Sequence, residues 1–155
     1  MMERMTRRFI INNLDGINIS FPIRYERYYV DDYLRIQKKA EKYQKEILDK
    51  NNCIISKTEI SEEEFNRIKE RSIKRIIRDS YLYNEDSRIS IKKYYEDFEG
   101  LIRVEVTFKS KEEMKSYKKE SWMGKEITNS NLAFDKFLIK LNRNEFLEEL
   151  NKYIN

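Results

Sequence analysis

The chain has 155 residues, of which 39% are hydrophobic and 39% charged, and its 32 basic and 28 acidic side chains give a net charge of +4. The absence of His and the single Cys exclude His-dependent nucleophilic triads, an intramolecular disulfide and His or Cys zinc sites. With 3 Gly, a Gly-rich phosphate loop is also excluded.

The composition is that of a folded chain with a modest core, because 11 Tyr and 8 Phe supply apolar area that disordered chains lack. No apolar run reaches membrane-spanning length, and no signal-peptide pattern opens the chain. We therefore expect a single cytoplasmic domain over residues 1–155, with no membrane partner. Any metal would have to be held by carboxylates, which suits Mg²⁺ or Mn²⁺.

Strand patterns fill the first half of the chain, where short segments rich in Tyr and Ile are separated by turns of Asp, Lys and Asn. Short turns between successive strands favour antiparallel pairing. Ser61 and Glu64 form a capping-box pattern that predicts a helix beginning after Ser61. The predicted strands are 7–13, 22–30, 33–39, 42–48 and 51–60.

The second half repeats this plan and then becomes helical. Ser110 and Glu113 form another capping-box pattern, which predicts a helix directly after the last strand. Together the two halves predict an α+β protein with about eight strands and four helices. The further predicted strands are 73–83, 88–95 and 100–109, and the C-terminal predicted helices are 130–141 and 144–154.

The strand at 100–109 has two unlike faces, because alternate side chains of a strand point to opposite sides. Val104 and Val106 lie on one face, and Arg103 and Glu105 lie on the other. In an open sheet the polar face would meet water, whereas in a closed barrel with helices outside it would line a tunnel. The alternation alone leaves both arrangements open.

A set of short motifs along the chain matches the pattern of one known family. The motifs are Gly100-Leu101, Glu105-Val106, Phe108, Trp122, Gly124, Glu126-Ile127-Thr128, YERYYVDDYLRIQ at 25–37 and EISEEEF at 59–65. Through them, residues 89–133 resemble the C-terminal half of a CYTH domain, the triphosphate tunnel fold of class IV adenylate cyclases, thiamine triphosphatases and inorganic triphosphatases. The weaker likeness of the preceding segments extends the resemblance over nearly the whole chain. It implies an eight-stranded antiparallel closed β-barrel with helices packed outside, in which basic side chains bind a triphosphate and glutamates hold Mg²⁺ or Mn²⁺.

The chain departs from this family at its metal-binding carboxylates. Lys92 stands where the family has an Asp, and Thr107 stands where it has the second Glu of an E-V-E strand. Glu105 is the tunnel carboxylate that stays in register. The resemblance therefore implies a degenerate metal signature, in which Lys92 replaces part of the ion's charge but cannot activate water. At the N-terminus, Arg4, Thr6 and Arg8 occupy the E-x-E-x-K positions.

From this resemblance we predict that basic side chains bind the phosphates and that Glu105 is both the catalytic residue and the metal ligand. Each basic side chain can also be interpreted as an exposed cross-strand charge pair. Glu126 is interpreted as a residue that holds its loop in place. The predicted phosphate-binding residues are Arg8, Arg35, Arg78, Lys92, Arg103 and Lys125.

Three functions remain open on these grounds. We favour a tunnel protein that binds a triphosphate or nucleotide, with metal-dependent catalysis weakened or lost. The first alternative is an active metal-dependent triphosphatase or adenylate cyclase-like enzyme that recruits Glu105, Glu59 or Glu3. The second is a non-catalytic scaffold that binds protein or RNA. Nucleic acid is not expected for the favoured function, and homodimer formation is left open.

Overall fold

The protein contains an eight-stranded antiparallel sheet with the strand order β1-β8-β7-β6-β2-β3-β4-β5. The computed structural model describes residues 5–51 and 53–154. Within them the order ends at β1 and β5, so the predicted closure into a barrel is not confirmed and stays a prediction. The strands are β1 (Thr6–Ile11), β2 (Ile23–Tyr29), β3 (Leu34–Lys39), β4 (Lys42–Leu48), β5 (Ile54–Glu59), β6 (Lys74–Leu82), β7 (Ile89–Tyr94) and β8 (Ile102–Thr107).

Short helices follow β5 and β8 and make up the C-terminal part of the chain. Both predicted capping residues are confirmed, because the Ser61 hydroxyl accepts the Glu64 N–H and the Ser110 hydroxyl accepts the Glu113 N–H. The helices are α1 (Glu62–Lys69), α2 (Lys111–Ser116), α3 (Asp135–Leu138) and α4 (Arg143–Asn151), with a 3₁₀ turn at Glu96–Phe98.

The helix predicted over 130–141 is wrong in its first half. Only Asp135–Leu138 is helical, and the preceding residues form a turn. The Ser130 hydroxyl accepts the Leu132 N–H and donates to the Ile127 carbonyl, so local side-chain bonds take up the backbone groups that a helix would use.

The chain divides into two compact units. Unit 1 contains Met1–Pro22 and Asp79–Asn155, and unit 2 contains Ile23–Arg78. Each unit is defined by the contacts that its own residues make with one another. The division does not test whether residues 1–155 form a single domain, which stays a prediction.

In unit 1, the apolar face of β1, β8 and β7 forms a core. Phe9 and Ile91 lie opposite Val104 on the two neighbouring strands, and all three are buried. Met114 of α2 and the following Tyr117 pack against this cluster. Gly124 allows the segment after α2 to approach β1, because a Cβ there would lie 2.4 Å from the Ile10 carbonyl oxygen.

In unit 2, α1 covers one face of β2 and β3. Phe65 and Ile68 of α1 are buried against Tyr28 and Ile36. The rings of Tyr28 and Phe65 meet edge to face, with their centroids 5.7 Å apart. Each unit therefore has strands with one face against apolar side chains, and the opposite face carries the polar residues singled out from the sequence.

Candidate functional site

The polar face of β8 is buried. Arg103 is 3% exposed and Glu105 is 6% exposed, close to the full burial of Val104 on the opposite face. Arg8 of β1 is also 3% exposed and lies directly opposite Glu105. The interpretation of these side chains as solvent-exposed charge pairs is therefore wrong, because β1 and β8 bury side chains on both of their faces.

Three cations surround the Glu105 carboxylate. Lys92 Nζ lies 3.0 Å from Oε1, and Arg103 Nη2 lies 3.0 Å from Oε2. Arg8 Nε is 3.9 Å from Oε2. The strand register produces this cluster, because β1 brings Arg8 opposite Glu105 and β7 brings Lys92 opposite Arg103. We call Arg8, Lys92, Arg103 and Glu105 the basic cluster.

Within the basic cluster, Glu105 and Arg103 stabilise each other's ionised forms. Burial alone would raise the pKa of Glu105, but the positive charges of Arg103, Lys92 and Arg8 hold that pKa well below its ordinary value. Burial opposes the charge of Arg103, and the nearby Tyr94, Glu105 and Asp135 raise its pKa above the ordinary value. Glu105 is therefore a carboxylate, and not a carboxylic acid, near neutral pH.

Arg103 is also tied to the segment that precedes α3. Its Nη1 donates to the Leu132 carbonyl at 3.1 Å, and its Nη2 donates to Asp135 Oδ1 at 3.2 Å. The Tyr94 hydroxyl donates to the same Asp135 oxygen at 2.5 Å. Sequence analysis missed Tyr94 and Asp135, because 41 residues separate them and no periodic pattern links them.

A cavity of about 500 Å³ lies beside Arg8. Arg8 Nη1 donates to Thr6 Oγ1 at 2.6 Å, and its guanidinium carbon lies 4.2 Å from the centre of the Phe134 ring. The cavity is large enough for a small polyanion and opens on three basic residues. Its lining is Thr6, Arg7, Arg8, Met114, Lys115, Thr128, Asn129 and Phe134.

One wall of this cavity is held by Glu126, in agreement with its interpretation as a loop-holding residue. Arg7 Nη2 and Nε donate to the two Glu126 carboxylate oxygens at 2.7 and 2.9 Å. Arg7 Nη1 also donates to the carbonyls of Met114 and Tyr117 at 3.0 Å. The bonds from Arg7 lower the pKa of Glu126, and the Thr128 hydroxyl acts in the same direction against burial. Arg7 therefore joins β1, the end of α2 and this loop.

Lys125 contacts β1 through its backbone. Its side chain is exposed, and its carbonyl accepts the Ile10 N–H at 3.0 Å. The geometry shows a backbone role for Lys125 in fastening the loop to β1. Its role as a phosphate contact stays a prediction.

Unit 2 contains a second buried carboxylate with cations beside it. Glu46 is 1% exposed, and its Oε1 lies 2.9 Å from Arg35 Nε. Lys57 Nζ, on the neighbouring strand, is 3.9 Å from Oε2 of the same carboxylate. Arg78 is buried, with its guanidinium carbon 4.5 Å from the centre of the Tyr25 ring. Arg78 is thus a buried basic residue of unit 2, as Arg8 and Arg103 are of unit 1, whereas the Arg35 side chain is 11% exposed.

The single carboxylate of the basic cluster, Glu105, does not fit a divalent metal ion. Over residues 5–51 and 53–154, no group of three or more His, Cys, Asp or Glu side chains is placed to hold one. Glu105 faces Lys92, Arg103 and Arg8, whose positive charges would repel Mg²⁺ or Mn²⁺. Of the residues considered for recruitment, Glu59 is exposed on β5, and Glu3 lies outside the described residues.

Two crystal structures of NE1496 are similar to this chain. One, described as a hypothetical protein, has a TM-score of 0.76 over 90% of this chain and 99% of that chain. The other, described as an inorganic triphosphatase, has a TM-score of 0.74 over 90% of this chain and 95% of that chain. Both are 16% identical in sequence. This chain has the fold of NE1496.

The likeness to NE1496 confirms the predicted fold at the level of an eight-stranded antiparallel sheet with few helices. No protein-family model and no curated protein matches the sequence. At 16% identity, the likeness to NE1496 concerns the fold alone. In the part of the chain that the structure describes, no helix is long and apolar enough to cross a membrane.

Proposed function

We propose that this protein binds a triphosphate or nucleotide through buried basic side chains, and that metal-dependent catalysis is weakened or lost. The observation that carries the proposal is the basic cluster, in which three cations, two of them buried, surround one carboxylate. The shared fold with NE1496, described as an inorganic triphosphatase, supports a triphosphate as the ligand.

The charge of the basic cluster favours an anion of high charge density. Among the described residues, three cations of the basic cluster face Glu105, and Arg103 also contacts Asp135. Two of these cations are guanidinium groups, whose planar arrangement of N–H donors suits phosphate oxygens. The cavity beside Arg8 gives a small polyanion a place to lie against the Arg8 guanidinium, which is the member of the basic cluster in its lining.

Arg35, Arg78 and Lys125 are further proposed phosphate contacts. For Arg78 the support is its burial within unit 2, because basic side chains are rarely fully buried. For Arg35 the support is its place beside the buried Glu46 carboxylate. For Lys125 the support is its position in the loop that reaches β1. We also propose that the sheet closes into the barrel that the CYTH resemblance implies.

The proposal of weak catalysis rests on the chemistry of Glu105. A general base is most effective when its pKa lies near the working pH, and the pKa of Glu105 is held far below neutrality. Metal-assisted attack of water requires carboxylates that hold the ion, and the surroundings of Glu105 are cationic. These surroundings support binding more strongly than turnover.

Calorimetric titration with tripolyphosphate and ATP, with EDTA or with Mg²⁺ or Mn²⁺, tests the proposal when combined with assays of phosphate and pyrophosphate release. Saturable binding without release supports it. Metal-dependent release would favour the triphosphatase or cyclase alternative. If neither ligand binds under any condition, the proposal fails and the scaffold alternative gains.

The variant Arg8→Gln locates the binding site. It removes one positive charge of the basic cluster and is expected to weaken tripolyphosphate binding about tenfold or more, equivalent to about 1.4 kcal/mol. Lys93→Gln is the matched control, because Lys93 lies on β7 and its strand position points to the face opposite Lys92. Equal loss of affinity in both variants would point to nonspecific charge attraction.

A further inference from the structure

Lys92 places a positive charge beside the Glu105 carboxylate in unit 1. Its ammonium lies 3.0 Å from Glu105 Oε1, within the distance at which a bound cation neutralises a carboxylate. It is also 3.3 Å from the Ser90 hydroxyl on the same strand. Lys92 therefore places a fixed positive charge directly against the carboxylate that the family resemblance assigns to the metal.

The second oxygen of the Glu105 carboxylate also faces positive charge. Arg103 lies against this oxygen, and Arg8 approaches it from β1. A divalent ion brought here with a polyphosphate would meet three positive charges within a buried region, where screening by water is weak. A metal-free polyphosphate brings only negative charge to the same side chains.

We propose that Lys92 makes this site selective for a metal-free polyphosphate over the magnesium complex of the same polyphosphate. This inference rests on the proposed function, because it concerns the form of the ligand that the basic cluster binds. It goes further than loss of catalysis: added Mg²⁺ should weaken binding, and most of that weakening should depend on the charge of Lys92.

The wild-type protein provides the first test. Tripolyphosphate is titrated by calorimetry in EDTA and again with Mg²⁺ in saturating excess over the ligand, with the ionic strength matched by KCl. We expect the affinity to fall about tenfold or more in Mg²⁺. Equal or tighter binding in Mg²⁺ overturns the inference but leaves the proposed function standing. No binding in either buffer overturns the proposed function and the inference with it.

Substitutions at two adjacent positions assign the selectivity to Lys92. Lys92→Met removes the charge with similar bulk and is expected to reduce the ratio of the two affinities to less than about threefold. Lys93→Met, on the opposite strand face, is expected to keep the wild-type ratio. The inference is overturned if Lys92→Met keeps the full ratio, or if Lys93→Met loses it equally.

Substitutions that introduce carboxylates beside Glu105 test the role of Lys92 by metal binding, without any polyphosphate. Lys92→Asp combined with Thr107→Glu restores carboxylates on the strand face of Glu105 and is expected to bind Mn²⁺, measured by loss of the free Mn²⁺ electron paramagnetic resonance signal. Lys93→Asp with Thr107→Glu is the matched control and is expected to show no such binding. Circular dichroism confirms that each variant is folded. A folded Lys92→Asp variant that binds no Mn²⁺ contradicts the role assigned to Lys92, and the wild-type titration stands independently of it.

Discussion

Lys92 and Glu105 lie diagonally across the neighbouring strands β7 and β8, and their charged atoms are 3.0 Å apart. Glu105 is also bound by Arg103 two residues before it on the same strand. The pairing converts the carboxylate that the family resemblance assigns to a metal into the centre of an internal ion cluster. The proposed polyanion binding and the proposed weakness of catalysis both follow from this relationship.

Replacing Glu105 by Gln should destabilise the protein strongly. The change removes the carboxylate that faces three cations, two of them deeply buried, and breaking a buried ion pair typically costs about 3–5 kcal/mol. Urea unfolding measures this loss. Glu112→Gln on exposed α2 is the control and should change the free energy of unfolding by less than about 0.5 kcal/mol. Equal stability of the two variants would mean that the ion cluster is energetically unimportant.

The stability of the protein should fall on acidification in a way that depends on Glu105. Its pKa is lower in the folded state than in the unfolded state, so its contribution is complete above the ordinary glutamate pKa and is lost as the pH falls toward the folded-state value. Asp86, Glu113 and Glu126 also have lowered pKa values and act in the same direction. The free energy of unfolding should therefore fall less steeply between about pH 5 and pH 3 in Glu105→Gln than in the wild type. Urea unfolding across this range checks it, and an unchanged slope would contradict the assignment.

Asp135→Asn should strengthen polyanion binding while it weakens the fold. The change keeps an acceptor for the Tyr94 hydroxyl but removes a negative charge that lies 3.2 Å from Arg103. Loss of that charge raises the positive potential of the basic cluster, so tripolyphosphate affinity should rise severalfold, and the free energy of unfolding should fall by about 1–3 kcal/mol. Calorimetry and urea unfolding measure the two effects. Asp97→Asn, at an exposed position, should change neither, and weaker binding by Asp135→Asn would argue against an anion at Arg103.

Gly124→Ala should destabilise unit 1 through a steric effect. The added Cβ would lie 2.4 Å from the Ile10 carbonyl oxygen, which accepts the Gly124 N–H at 2.8 Å. Overpacking of this kind costs about 1–3 kcal/mol. Gly16→Ala is a useful comparison, because nothing lies within 4 Å of its Cβ position and its φ of +76° tests backbone conformation instead. An unchanged unfolding temperature in Gly124→Ala would show that the loop can move away from β1 without loss of stability.

Local patterns in the sequence predicted the elements well, because local forces determine them. The hydroxyls of Ser61 and Ser110 cap helices as their spacing indicates. Alternation along β8 correctly separated Val104 from Arg103. By contrast, the start of the helix predicted at 130–141 was wrong, because the Ser130 hydroxyl stabilises a turn that apolar periodicity does not reveal.

The candidate site was only partly predictable, because burial of a polar face is a tertiary property. Alternation identified Arg103 and Glu105 as sharing a face, and the family resemblance added Arg8 and Lys92. Neither showed that Glu105 would bind those cations, nor that Asp135 would reach Arg103 from 32 positions away. Pairings of that kind depend on the path of the loops, which carries no signal in a single sequence.

The central claim is that the buried cations of the basic cluster bind a polyphosphate directly, and site-resolved NMR tests it most directly. Tripolyphosphate is added in EDTA to uniformly ¹⁵N-labelled protein, and the side-chain ¹⁵N resonances of Arg8, Lys92 and Arg103 are followed. The account predicts that these resonances shift together and saturate with one affinity. Shifts confined to exposed lysines such as Lys118, with the resonances of the basic cluster unchanged, would contradict it.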